Sequence, residues 1–369
     1  LIEPEAKRFV CGEIGGRIEP MIQLLSMIQP TFMHEWVSLV IMAVLVSSLV
    51  GIYATPIGNF LKIIDSPDSE ERKKHLKPTP LVGGLAVMLP TLLTGFFLYL
   101  NSGNTILGAV SILCAGMLAL GIMDDRSHIA PLNRLIYSVV ICSGALFLLP
   151  ELALRELTFS LSDTPIVLGW TGIVFTVVCL VGLQNAINMA DGKNGLVIGM
   201  TLIWTGLTAI YTPPSFIPFL TVFAAALAVA FIFNWRGKLF LGDGGAYSLS
   251  AVSGTSAICT FIVSPALSAD MIILWFIVPV LDCLRLIWSR KKRGVSPFSA
   301  DREHLHHYLG DMLPWHAGIV AYLSLVAIPA IIAVIFPQLT VFILATVVAI
   351  YFGVLHVAHK RPVNIVSAD

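Results

Sequence analysis

Residues 105–126 read TILGAVSILCAGMLALGIMDDR: nineteen residues without a formal charge, then two acids and a base. About 20 mostly apolar residues suffice to cross the hydrocarbon of a bilayer as one helix. This stretch therefore predicts a spanning helix that ends in adjacent carboxylates at the membrane surface. Similar windows recur near 36–54, 81–100, 132–149, 166–185, 196–212, 215–233, 246–265, 270–289, 316–336 and 338–357. That makes about eleven spans. The window at 196–212 is short, and only Pro337 and Gln338 part the last two, so ten or twelve also fit. Of 369 residues, 57% are hydrophobic and 12% charged, roughly half the charge of an average soluble domain. Mean hydropathy is +0.88. A soluble enzyme and a disordered chain are excluded, and the expectation is an all-α, polytopic membrane bundle embedded in a lipid bilayer.

Residues 1–35 read as a polar leader, the first twenty of them with no role in the fold and Met21 as an alternative start. Residues 36–357 read as one transmembrane catalytic domain, and 358–369 as a tail. Twenty-two basic residues balance twenty-two acidic ones, which gives no reason to expect a nucleic-acid partner. Lysine and arginine favour cytoplasmic loops. Eighteen of the 22 fall in one alternate set of connections or at its edge, which predicts an outside N-terminus and a cytoplasmic C-terminus. Five of the six cysteines lie in apolar runs and no C-x-x-C occurs, so neither a disulfide framework nor a structural zinc site is expected.

The predicted cytoplasmic connections carry the chemistry. Arg72-Lys73-Lys74-His75 and Lys77 precede Pro78, Pro80 and Gly83-Gly84; they suit lipid headgroups or an anion site in which glycines let a helix start close to a ligand. Asp124 and Asp125 repel each other and need compensation, from Arg126 or from a divalent cation with a taste for hard oxygen ligands. Adjacent helical residues point about 100° apart, so the two acids should have different jobs. Asn185 and Asn188, three apart, offer amides to sugar hydroxyls or phosphate oxygens, and the turn Asp191-Gly192-Lys193-Asn194-Gly195 follows. Asn234 to Gly245 combines Lys238, Phe240 and Asp243 among glycines, and leads into a span whose first N–H groups would suit a diphosphate. Ser296 to His307 holds Arg302, His304, His306 and His307. H-x-H-H is not the H-E-x-x-H spacing of a helical zinc site, so phosphate hydrogen bonding is the better assignment. Carboxylates, cations, an aromatic ring and a greasy wall together describe a phosphorylated donor meeting a lipid acceptor.

From about Ile63 to Tyr308 these strings resemble the polyprenyl-phosphate N-acetylhexosamine-1-phosphate transferase superfamily (the WecA/TagO/MraY group). Ser-Pro-Phe-Ser-x-Asp-Arg-x-His-x-His-His is similar to its WecA/TagO branch. The resemblance implies transfer of a sugar 1-phosphate from a UDP-N-acetylhexosamine to undecaprenyl phosphate at the bacterial inner membrane. UMP would leave, and Mg²⁺ would be required, with Mn²⁺ as a substitute; pairing of two copies is left open. It also implies Asp243 as metal ligand, Asp124 and Asp125 as carboxylates near the reacting phosphates and the ion, and His304, His306 and His307 as catalytic histidines. Phe240 would stack on uracil, while His75, Lys77, Asn185, Asn188, Asp191, Asn194, Lys238 and Arg302 would bind substrate. Three departures stand out: Asn194 where the family has an acid, Gly245 where it has a serine, and about two extra residues between Asp65 and His75.

A polyprenyl phosphate, with a second pKa near 6, is largely a dianion at neutral pH, so direct attack on the donor is expected. Asp124 or Asp125 acting as nucleophile, base or ion positioner are the alternatives. The competing class is a lipid-linked sugar flippase or secondary transporter, which wants ionisable groups near the bilayer midplane. Here only Asp282 and Arg285 lie deep, three apart on one helix face and able to pair. N-acetylglucosamine and deoxy-amino sugars remain alternative donors, and O-antigen, lipopolysaccharide or teichoic acid alternative destinations.

Overall fold

The computed structural model describes residues 30–66, 77–297 and 302–360. His75 and its basic neighbours at 72–74 lie outside the described residues, as do residues 1–29 of the leader and 361–369 of the tail. The first helix, α1 (Pro30–Ile52), begins inside the stretch read as leader; α2 (Ala54–Leu61) follows it. Then come α3 (Gly83–Ser102), α4 (Thr105–Ser127), α5 (Pro131–Leu148), α6 (Thr171–Ala190), α7 (Leu196–Tyr211) and α8 (Ile217–Trp235). The chain ends with α9 (Gly242–Val263), α10 (Ala269–Lys292), a short α11 (Leu305–Met312), α12 (Trp315–Ile335) and α13 (Thr340–Lys360). Among the described residues ten helices are long and apolar enough to cross a membrane, and α7, at 16 residues, is a shorter apolar eleventh.

Local chemistry sets the ends. Asn104 caps α4 by accepting from the Leu107 N–H at 3.2 Å, which satisfies one of the donors a helix start leaves unpaired. Pro131 opens α5, where a missing N–H costs nothing. Pro279, a kink candidate on sequence, sits inside an unbroken α10.

The centre of the bundle is α9, buried along nearly its whole length. Its run of Gly, Ala, Ser and Thr lets neighbouring backbones approach closely. Ser248 and Thr255 return their hydroxyls to the Gly244 and Ala251 carbonyls, so these side chains present no orphaned polar atom to the apolar interior. The starts of α3 and α9 are joined through main chain: Gly83 N–H donates to the Phe240 carbonyl at 2.9 Å and Gly84 N–H to that of Leu241 at 3.1 Å. A Cβ on Gly84 would collide with the Gly244–Gly245 backbone, and one on Gly121 with Asp243–Gly244. Gly83-Gly84 thus serves helix–helix contact, not the close approach to an anion expected from sequence.

Two small sheets interrupt the helices. β1 (Ile64–Asp65) pairs antiparallel with β2 (Thr79–Pro80), clasping both ends of the basic loop. At the opposite end of the bundle, β3 (Glu156–Phe159) pairs with β4 (Ser162–Val167). This hairpin occupies the start of the window read as a span from 166, and α6 begins only at Thr171. The alternation Glu-Leu-Thr-Phe, exposed then half-buried, carries it; Asp270 fixes it by accepting from the Ser160 N–H at 2.9 Å and from the Ser160 hydroxyl.

Candidate active site

Among the described residues the chemistry-bearing strings gather at one end of the bundle: the C-terminal ends of α4, α6, α8 and α10 and the N-terminal ends of α9 and α11. The adjacent Asp124 and Asp125 meet Asn188 and Asp243 there, although Asn188 and Asp243 are 55 residues apart and Asp125 and Asp243 are 118 apart in sequence.

Asp124 is 1% exposed and takes three donors. These are the Ile129 N–H at 2.8 Å, the Arg134 guanidinium at 3.0 Å and the Tyr247 hydroxyl at 2.7 Å. Arg134 also reaches the Tyr247 oxygen at 3.3 Å. The compensating cation is therefore Arg134, not the exposed Arg126 proposed from sequence. Arg126 sits in the last turn of the helix that carries Asp124, whereas Arg134 projects from the next helix.

Asp125 has a different task, as the angle between adjacent helical residues demands. Its two oxygens accept the Asp243 N–H at 2.8 Å and the Gly244 N–H at 3.0 Å, so one carboxylate caps the start of α9 and meets its positive dipole end. Gly242, at φ 73, permits this, since a Cβ there would lie 2.7 Å from Asp125 Oδ2.

Asp243, on the first turn of α9, accepts from the Asn188 side-chain amide. It stands within electrostatic reach of Asp191, whose pKa rises to about 7 through burial and the negative charge of Asp243. Asn185 does not join Asn188. It returns its amide to the Val181 carbonyl at 2.8 Å and lines an apolar cavity of about 690 Å³ between α6, α9 and α10. Three residues leave two side chains some 60° apart on a helix, enough here to divide them between the polar site and the greasy wall. The cavity runs along α10 from Ile272 to Ile287, roughly 22 Å at the helical rise, and ends beside Asn185, Met189 and Pro297.

Asn194 and Lys238 flank the turn at Gly237: the Asn194 amide would stand 3.8 Å from a Cβ on Gly237, and exposed Lys238 lies 5.9 Å from the Phe233 ring. Buried Asn234 ties these loops, accepting the Gly195 N–H at 2.6 Å and donating to the Leu239 carbonyl at 3.0 Å. Phe240 is half-buried, its N–H bonded to the Pro80 carbonyl at 2.9 Å. Lys77 is exposed at the rim below β2. Gly245 is glycine because Leu241 and Gly84 fill the space a serine Cβ would need.

The histidines close the other flank. His306 is buried against Gly192, and its Nε2 has no hydrogen-bond partner. Burial holds His306 well below the usual imidazole range, and His307 falls to about 4 through burial and the charge of Lys193. Arg302 is exposed beside His307 and opposes its protonation. His304 stacks on His306 with ring centroids 5.2 Å apart and meets Asp282 through Nδ1 at 2.9 Å. Asp282 and Arg285 pair as expected, at 3.0 Å; both are consumed in local bonds, unlike the mobile midplane charges a transporter needs.

Arg134, Tyr247, Asn234 and Tyr351 were not among the sequence candidates. Only Tyr247 left a trace, one helical turn after Asp243 in an otherwise small-residue helix.

The model for glycosyl transferase family 4 matches residues 105–261, from the start of α4 almost to the end of α9. Among curated proteins the chain is similar to the undecaprenyl-phosphate alpha-N-acetylglucosaminyl 1-phosphate transferase of Yersinia pestis, at 30% identity over 67% of this chain and 69% of that one. It is 27% identical to the enzyme of the same name from Escherichia coli strain K12, over 72% and 74%. It is 30% identical to the decaprenyl-phosphate N-acetylglucosaminephosphotransferase of Mycobacterium leprae strain TN, over 76% and 77%.

Proposed function

Because the chain belongs to glycosyl transferase family 4, we propose that it transfers an N-acetylhexosamine 1-phosphate, N-acetylglucosamine 1-phosphate first among candidates, from a UDP-sugar to a polyprenyl phosphate. The observation that carries this reading is the meeting of Asp124, Asn188, Asp191 and Asp243 beside an apolar cavity in a membrane bundle. A prenyl tail fits the cavity and its phosphate reaches the acidic end. One oxygen of that phosphate attacks the phosphorus attached to the sugar, the bond to the bridging oxygen breaks, and UMP departs with that oxygen. The acceptor needs no strong base, being largely a dianion at pH 7. Its difficulty is meeting a second anion, so positioning and charge compensation supply most of the catalysis.

Among the described residues no three His, Cys, Asp or Glu side chains form a ready metal cage. The donor set still suits Mg²⁺, which is commonly held by one or two carboxylates together with substrate phosphates. Asp243 and Asp191 are the carboxylates for that task, since Asp124 is taken by Arg134 and Tyr247 and Asp125 by two backbone N–H groups. When bound, the ion would offset the negative charge of the two phosphates. Phe240 and Asn194 would receive the base, and Lys77, Lys238, Arg302 and the histidines the phosphates and sugar. With the site end facing the cytoplasm of a bacterial inner membrane, N-terminus outside, the donor arrives from water and the acceptor from the leaflet.

The test is UMP release by detergent-solubilised protein supplied with a polyprenyl phosphate, Mg²⁺ and, in turn, several UDP-N-acetylhexosamines. Release that depends on the lipid supports the reading and ranks the donors; no release with any donor overturns it.

A further inference from the structure

Asp282 lies on α10, three turns below the helix end, and is 3% exposed. It accepts bonds from its own helix, from α11 with its N-cap residue, and from α13. His304 meets it through Nδ1 at 2.9 Å, the Leu305 N–H at 3.2 Å, the Tyr351 hydroxyl at 2.7 Å and the Arg285 guanidinium at 3.0 Å. Arg285 binds the Tyr351 oxygen as well, at 2.7 Å, and the Glu303 carbonyl. Every neighbour of this carboxylate is a donor. The bond to His304 is therefore Nδ1–H to carboxylate, because a bare Nδ1 would set a lone pair against an ionised oxygen.

We propose that Asp282 is a positioning residue for the reaction: it fixes His304 as the Nδ1–H tautomer, so that its Nε2 is left as an acceptor on a ring stacked against His306, and Tyr351 of α13 holds Asp282 in that orientation. The proposal rests on the transferase reading above and deepens it. It gives one of the three histidines expected at the site a defined tautomer. The connection to the site is short: His304 stacks on His306, and His306 lies against Gly192. The tie to α13 brings the C-terminal helix into the site, although that helix lies beyond residues 105–261.

Substituting Asp282→Asn discriminates sharply. An amide has one accepting oxygen and one donating nitrogen, while Arg285 can only donate. The oxygen turns to Arg285 and Tyr351, the NH₂ turns to His304, and Nδ1 must then accept, which moves the proton to Nε2.

The experiment combines turnover with nitrogen-15 NMR of histidine-labelled full-length protein, His304 being assigned by its loss in His304→Gln. In the wild type His304 is expected as the Nδ1–H tautomer, and in Asp282→Asn as the Nε2–H tautomer. The kcat of Asp282→Asn is expected to fall roughly 100-fold, as for other residues that orient a reacting histidine, with KM for both substrates within about threefold. Asp282→Glu should recover part of the loss, and Tyr351→Phe should lower kcat only severalfold. A wild-type His304 carrying its proton on Nε2, or an Asp282→Asn kcat within threefold of wild type, overturns the proposal. Should Asp282→Asn fail to fold, the wild-type tautomer still decides. Should the wild type release no UMP, the functional reading falls while the NMR result stands by itself.

Discussion

Replacing Tyr247 by phenylalanine removes one oxygen and leaves the ring, so its effect reports on the grip around Asp124. The lost bond is 2.7 Å long, joins a hydroxyl to a buried carboxylate and has no access to water, Tyr247 being 2% and Asp124 1% exposed. Hydrogen bonds to charged groups contribute about 1.5–3 kcal/mol. Asp124 keeps Arg134 and the Ile129 N–H, which places the expected cost at about 2 kcal/mol, toward the lower half of that range. For a chain this long such a loss lowers the apparent Tm by roughly 2–3 °C. The assay is thermal unfolding of purified protein in one detergent, run on Tyr247→Phe, Asp124→Asn and the double variant. Once Asp124 carries no charge, the hydroxyl has less to hold, so the double variant should be more stable than the sum of the single losses implies, by about 1 kcal/mol. Fully additive losses, or a Tyr247→Phe protein with unchanged Tm, would refute the clamp.

Gly121→Ala should abolish accumulation of folded protein or cost more than about 3 kcal/mol, since backbone cannot yield to the new methyl; Gly144→Ala, which meets nothing within 4 Å, is the matched control and should express normally. The contribution of the two buried histidines to stability should fall as pH drops below about 6.5, while Asp191, raised to about 7 in the folded chain, acts in the opposite direction. His306 and His307 are held below that value in the folded chain, so the unfolded chain binds the protons first and their protonation favours unfolding, the partly exposed His307 less than a fully buried group would. Thermal half-lives of wild type and His307→Gln at pH 7.5 and 5.5 measure this: the wild type should lose more, relative to the variant, at the lower pH. Chelation by EDTA should stop UMP release, with Mg²⁺ or Mn²⁺ restoring it; turnover that persists in excess chelator removes the ion from the mechanism.

Much of the site was legible in the sequence because its residues stand at helix ends. Hydropathy locates those ends, and acids, amides and glycines at that depth need a reason to be there. Hence Asp124, Asn188 and Asp243 could be named, and the two adjacent acids could be given unlike roles before either had a partner. The partners themselves were hidden by distance along the chain. Arg134 reads as one more surface cation until α5 folds against α4 and brings it to Asp124. Tyr351 lies 69 residues from the carboxylate it holds, with no periodicity to link them. Hydropathy also erred at 166–170, where the apolar content of a strand was indistinguishable from the first turn of a span. Gly83-Gly84 misled for a related reason: a glycine pair announces close approach without saying whether ligand or backbone approaches.

The main-chain bonds between the starts of α3 and α9, with glycines at each crossing, leave the floor of the pocket almost without side chains to vary. Evolution, or a laboratory seeking a new donor sugar, has little room to work there. Adaptability must come from Lys193, Asn194, Arg236 and Lys238 in the two turns beside the site, whose side chains can change while Gly195 and Gly237, both at positive φ, hold the turns. Libraries confined to those four positions should yield far more folded variants than libraries of equal size drawn from the glycine crossings.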